Sequence, residues 1–321
     1  MRRRDLLFTA AGFTGVCSEG AQITPKTFSR SFNLLLSPAE FLQHLLAGDR
    51  GLHYVAHHRS TQVSSLGCTA FDGTVKFLWP LPSGLMYSGL GIRRSGALVL
   101  PCINRAVGRE IREFSPTGTP MRTLALKDRR GVLTYCTAGD ALVMLWEDGS
   151  IYALDLNSQG TRSLGRLWPD PHASVVYALS EDRVLIVDRR HAQICELDLD
   201  SGSKKFASIS SPDILSSKEF FDQELTGQKA TGKARGYPLM ITPGQPDVEG
   251  NFYCVVNPIM RKEGALTLRV STDGRILERF HIALPDEGTQ KGIPAHLTVQ
   301  SGQLFVVFMD GGVLVYDLSH Q

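Results

Sequence analysis

Hydrophobic and polar positions along this chain repeat as a clause. An apolar run leads to a turn residue, a second apolar run follows, and a short strand then ends in a polar, Gly-bearing turn. The clearest endings are EIREFSPTG (Glu110–Gly118), IYALDLNSQG (Ile151–Gly160), ICELDLDSG (Ile194–Gly202) and LTLRVSTDG (Leu266–Gly274). Turn residues before the second run fall at Gly51, Gly96, Asp140, Asp182, Gly250 and Gly302, at steps of 45, 44, 42, 68 and 52 residues. A strand-only repeat of about 40–50 residues predicts a β-propeller, one four-stranded sheet per repeat. Six repeats predict six blades.

The four strands of a repeat differ in composition. In blade 3, Val132–Cys136 reads as the inner strand, Ala141–Trp146 as the second, Ile151–Leu156 as the third and Thr161–Leu167 as the outer one. The second strands (LHYVA, ALVLP, ALVMLW, RVLIVD, NFYCVV and QLFVVF) are nearly unbroken apolar runs, as expected of strands covered on both faces. Outer strands such as PMRTLALKD and RILERFHIALPD mix charge with apolar residues, which suits an edge half in solvent. The last repeat stops at its third strand, Val313–Leu318, while Thr27–Pro38 reads as an outer strand without a blade. Together they predict a ring closed by the N-terminal strand, with no sheet edge left open. The expected fold class is all-β: one six-bladed propeller over residues 23–321, its blades filling 27–318. A β-sandwich is the competing architecture, and the regular step argues against it.

The net charge of +2, spread along the chain, gives no field that would attract nucleic acid. Six cysteines (Cys17, Cys68, Cys102, Cys136, Cys195 and Cys254) are dispersed without a CxxC pair, so a structural zinc site is not expected. Cys195 and Cys254 sit in apolar strands and read as small buried hydrophobes. Residues 1–22 read as an export signal. Met1–Asp5 is Arg-rich, and the apolar stretch Leu6–Val16 is too short to span a bilayer. Arg3-Arg4-Asp5-Leu6-Leu7 resembles the twin-arginine pattern of bacterial export. A periplasmic or extracellular location is expected, or a cytoplasmic one if that signal does not function, with no transmembrane segment.

The clause resembles that of the NHL family of six-bladed propellers. The matching residues are Gly51-Leu52-His53-Tyr54-Val55-Ala56-His57 in blade 1, Ile111 to Gly118 in blade 2, and Val184-Leu185-Ile186-Val187-Asp188 with Ile194 to Gly202 in blade 4. The resemblance implies the fold; that fold hosts binding modules, lactonases, lyases and scaffolds alike. Carrying the family's Asp position across the blades gives His57, Cys102, Trp146, Asp188, Val256 and Phe308, at second-strand ends where ligands of such blades usually sit. Just beyond lie Glu147, Asn257, Asn104 and Asp310. A Ca- or Zn-dependent hydrolase or lyase of lactonase type would draw on Asp188, Asn104, Glu147 or His57. Turn residues satisfying loop backbone are the competing reading. His53 and His57 lie four apart on a strand that rises ~3.3 Å per residue, too far to chelate one ion unaided. With His58 they read as structural or surface residues.

The 68-residue step hides an insertion, Ser211–Tyr237, between blades 4 and 5. Asp213–Leu225 predicts an amphipathic helix with Phe220, Phe221 and Leu225 on one side, and the segment enters over the ligand face. No GxSxG, HExxH, Walker or GxGxxG pattern occurs. The expectation is a non-enzymatic exported propeller without a cofactor that binds a protein, peptide or carbohydrate. Trp146, Asp188, His57 and Phe308 form its expected surface, and Arg189 and Arg190 make the rim positive. The metal-dependent enzyme is the alternative, and docking to a redox enzyme is a third reading, suggested by folded-state export.

Overall fold

Side chains alternate between the two faces of a strand, so a strand that is apolar at every position must be covered on both sides. Six such strands can cover one another only in pairs, blade against blade. The computed structural model describes residues 26–61, 63–126, 131–216, 218–219, 222–223, 239–256, 264–284 and 294–318. The expected residues Asn257 and Cys17, the signal at 1–22, and Phe220, Phe221 and Leu225 of the insertion lie outside them.

The strands form six sheets. Blade 1 contains β2 (Glu40–Gly48), β3 (Gly51–His58), β4 (Ser64–Thr69) and β5 (Val75–Pro80). Blade 2 contains β6 (Leu85–Tyr87), β7 (Gly91–Ile92), β8 (Leu98–Asn104), β9 (Gly108–Phe114) and β10 (Pro120–Leu126). Blade 3 contains β11 (Val132–Ala138), β12 (Ala141–Trp146), β13 (Ser150–Asp155) and β14 (Thr161–Arg166). Blade 4 contains β15 (Ser174–Ala178), β16 (Arg183–Asp188), β17 (Gln193–Asp198) and β18 (Lys204–Ser208). Blade 5 contains β19 (Ile241–Pro243), β20 (Phe252–Val256), β21 (Ala265–Val270) and β22 (Ile276–Ile282). Blade 6 contains β23 (Pro294–Gln300), β24 (Gln303–Phe308), β25 (Gly312–Asp317) and, from the other end of the chain, β1 (Arg30–Asn33).

The core is divided among the blade interfaces. Val184 and Ile186 of β16 pack with Val143 and Leu145 of blade 3. Leu185 and Val187 of the same strand pack with Phe252 and Cys254 of blade 5. Every second strand is used on both sides in this way. Among the described residues six such clusters join six blades, one more than an open row would have. The sixth joins Leu42, Leu52 and Tyr54 of blade 1 to Phe305, Val307 and Val315 of blade 6. The fold is a six-bladed β-propeller. Leu34 lies in that same cluster, just after β1, which pairs antiparallel with β25 in the register Arg30↔Val315 to Asn33↔Gly312.

Two local departures have physical causes. The inner strand of blade 2 is broken into β6 and β7 opposite Pro101, which has no N–H to give to a ladder. At the insertion, residues 212–216, 218–219 and 222–223 are helical. Its start is fixed to the ring by Ile214, buried between blades 4 and 5, and by an Asp213–Arg279 ion pair at 2.9 Å.

Candidate functional site

First strands of neighbouring blades approach one another, β11 to β15 and β19 to β23, and so wall a central channel. Its cavity is about 780 Å³, within the usual range of small-ligand pockets. The near face of the ring carries the second-strand ends and the first-strand starts. The far face carries the turns between first and second strands.

The channel wall is polar. His44 of β2 donates from Nε2 to the Tyr87 carbonyl at 3.3 Å, and Gln43 donates to the same oxygen at 2.7 Å. A carbonyl can only accept, so Nε2 of His44 carries the proton and Nδ1 is the acceptor. Burial pulls the His44 pKa down to about 4. His296 of β23 is lowered to about 3 by burial, with the positive fields of His44 and Arg189 acting the same way. Both rings are therefore neutral at pH 7 and lie within each other's field.

Arg189 leads from the near face into this wall. It follows β16, where Asp188 begins a tight turn: its Oδ1 accepts from the Arg190 and His191 N–H groups at 2.8 and 3.3 Å, and its Oδ2 contacts His191 Nδ1 at 2.6 Å. Asp188 is 1% exposed and fully engaged by its own turn. Arg189 Nε donates to the Ala173 carbonyl at 3.0 Å. Among the described residues the guanidinium has no ion-pair partner, and burial lowers its pKa from the usual arginine value, opposed by Tyr177 and Asp188. Arginine nonetheless stays cationic. Arg190 pairs with Asp170 at 3.3 Å on the surface. The chain returning from the insertion is tied here as well, since the Met240 N–H donates to the Arg189 carbonyl at 2.8 Å.

The residues expected from second-strand ends are distributed differently. Of Trp146, Asp188, His57, Phe308, Arg189 and Arg190, only Arg189 lines the channel. Trp146 is 2% exposed and packs edge-on to Tyr152 between blades 2 and 3. Phe308 is buried between blades 5 and 6. His57 stacks edge-on against Phe41 and bonds Ser64 Oγ at 3.0 Å. The expectation that Phe308 and His57 wall the channel is corrected: a second strand stands one strand away from the axis, and both of its faces belong to neighbouring blades.

Of the alternative metal set, Asp188, Asn104 and His57 are engaged locally. Asn104 donates to Glu110 at 3.1 Å and accepts from the Ala106 N–H at 3.0 Å. Glu147 is exposed, and Asp310 accepts from the Gly312 N–H at 3.1 Å. Among the described residues no group of three or more His, Cys, Asp or Glu could hold a metal ion. His53 is buried against Cys68, and its pKa falls to about 4 through burial and the nearby Arg50. The five described cysteines are free and buried, and burial raises the Cys195 thiol to about 12, the inert form.

No family model matches this chain, and no curated protein matches it in sequence. Solved structures do match in shape. A catalytically inactive virginiamycin B lyase from Staphylococcus aureus, solved with quinupristin, aligns at TM-score 0.54 and 14% identity, over 90% of this chain and 98% of that one. The RRP9 WD40 repeats align at 0.57 and 11%, over 92% and 99%. A Bacteroides thetaiotaomicron protein of unknown function aligns at 0.55 and 12%, over 92% and 74%. Identities this low show the fold alone. No helix among the described residues is long and apolar enough to cross a membrane.

Proposed function

We propose that this protein is a non-enzymatic, exported binding propeller, whose near face receives a peptide, protein or carbohydrate at the mouth of the central channel. The observation that carries the reading is the Asp188–His191 turn. It holds a basic pair at the channel mouth, Arg189 directed inward and Arg190 outward, and the insertion returns to the ring at that point. A long segment over a concave polar site is where binding function concentrates.

Peptide and glycan arrays probed with wild type and with Arg190→Glu test the reading. A ligand weakened about tenfold or more by the charge reversal is expected, as charge complementarity at a rim controls capture. Array ligands indifferent to Arg190→Glu, or one tightly held Ca²⁺ or Zn²⁺ per chain with turnover, would refute it. Export is tested separately: Arg3→Lys with Arg4→Lys strands a twin-arginine substrate in the cytoplasm, because a receptor reads the pair.

A further inference from the structure

The inner wall of the channel carries an arginine, Arg189, with no ion-pair partner among the described residues. Arg189 is part-buried, and among the described residues its guanidinium has a single hydrogen-bond acceptor, the Ala173 carbonyl. A part-buried guanidinium without a directly bonded carboxylate leaves donors for a ligand. Asp188, its sequence neighbour, is consumed by the Arg190 and His191 amides and the His191 ring. Arg93 and Arg94, which also line the cavity, are by contrast paired with Glu113, Asp140 and Glu181. Among the described residues the one lining carboxylate, Asp49, follows the end of β2 at the far face beside Arg50.

The groups around Arg189 are suited to an anion. His44 from β2, His296 from β23 and Tyr177 from β15 line the same cavity as neutral groups, joined by Gln43, His172 and Ser174. A guanidinium presents a planar fork of donors, which matches the oxygens of a carboxylate or phosphate; the His44 N–H is held by the Tyr87 carbonyl and the Tyr177 hydroxyl by the Pro243 carbonyl, so His296 is the neutral ring that can turn an N–H toward the anion.

We infer that the channel contains an oxyanion site, in which Arg189 engages a carboxylate or phosphate group beside His296. The inference rests on the near-face reading above and names the chemistry that the ligand must carry: an anionic terminus or substituent small enough to enter the ring.

Isothermal titration of the full-length protein with sodium phosphate and with sodium succinate, at constant ionic strength, tests the site and separates the two chemistries. One saturable site is expected for at least one anion, weakened tenfold or more in Arg189→Gln and unchanged in Arg166→Gln, a charge-matched change on the outer strand β14. Should Arg189→Gln fail to fold, Arg189→Lys is read in its place: it keeps the charge, loses the fork and is expected to bind more weakly. The melting temperature supplies a second readout. With the cation removed, anion-free Arg189→Gln melts no lower than wild type and loses the shift that the anion produces. Absence of saturable binding to either anion, or equal weakening in Arg166→Gln, overturns the oxyanion site. The binding reading of the near face is judged apart from this, by Arg190→Glu on the arrays.

Discussion

The side chain of Gln245 makes two hydrogen bonds to one residue, Ala47. Its Oε1 accepts from the Ala47 N–H at 2.9 Å, and its Nε2 donates to the Ala47 carbonyl at 3.1 Å. Gln245 follows β19 of blade 5, whereas Ala47 lies on β2 of blade 1, and the Gln245 N–H bonds Leu297 of blade 6 at 2.9 Å. One residue therefore links three blades at the channel, and its side-chain amide copies the pattern of a strand neighbour.

Gln245→Ala removes the partners of two part-buried backbone groups, the Ala47 N–H and C=O. The expected loss is about 1–3 kcal/mol, since unsatisfied backbone groups retain their desolvation cost. Gln245→Glu keeps the acceptor but sets a carboxylate oxygen against the Ala47 carbonyl, so it should cost at least as much. Urea denaturation reads both; an unaltered midpoint in Gln245→Ala would show that water replaces the bridge at no cost.

Glu113 is a second inter-blade device. It is 2% exposed and accepts from Arg122 at 2.7 and 2.8 Å and from Arg93 at 3.2 Å, while Arg93 reaches Asp140 of blade 3 at 2.8 Å. Removing one member of a buried charge cluster leaves the others uncompensated. Glu113→Ala should destabilise by about 3 kcal/mol, the low end for such sites, because Arg122 is part-exposed and Arg93 keeps Asp140. A loss under about 1 kcal/mol in urea titration would mean that the cluster behaves as a surface salt bridge.

Stability should fall in mild acid because of the channel histidines. His44 and His53 are lowered to about 4 and His296 to about 3 by burial, against about 6.5 in the unfolded chain. Between those values the unfolded state binds more protons, so stability is complete above pH 6.5 and declines as pH drops toward 4. The slope is on the order of 1 kcal/mol per pH unit for each ring that stays neutral. The exposed carboxyls held low by turn hydrogen bonds, Asp155 and Asp198, add their loss only below about pH 4. Thermal melts from pH 7 to 4.5 should flatten in a His44→Gln, His296→Gln double variant; parallel slopes would contradict neutral rings.

The blades were legible because strands such as RVLIVD have no polar side, and a period of 42–45 residues between their turns repeats in the first half of the chain. The basic pair Arg189–Arg190 was legible too, as charges directly after such a strand. Trp146 and Phe308 misled for the same reason that the blades were visible: an aromatic at the end of a two-faced strand belongs to a neighbouring blade. His44 and His296 could not be found in this way. They lie 252 positions apart on inner strands whose channel-facing residues alternate with apolar ones, a pattern that also describes a strand facing solvent. Ring geometry alone brings them together.

The β1–β25 pairing carries a prediction about cooperativity. Ser29 and Leu34 extend it by donating to Val315 and Gly311 at 2.7 and 2.8 Å, and Leu34 is 3% exposed. Deleting residues 1–38 strips an apolar edge from blade 6 and should produce aggregation or loss of the single unfolding transition. If the truncated protein melts as the parent does, β1 does not close the ring.

The central claim is that ligands are taken at the near face and the channel mouth. Hydrogen–deuterium exchange of the full-length protein, with and without a saturating array ligand, tests it most directly. Added protection is predicted at Arg189–His191, at Ser174–Ala178 and at Glu40–Gly48, the turn and two inner strands that line the channel. Protection confined to the far-face turns, such as Asp155–Gly160 and Asp198–Ser203, would contradict it.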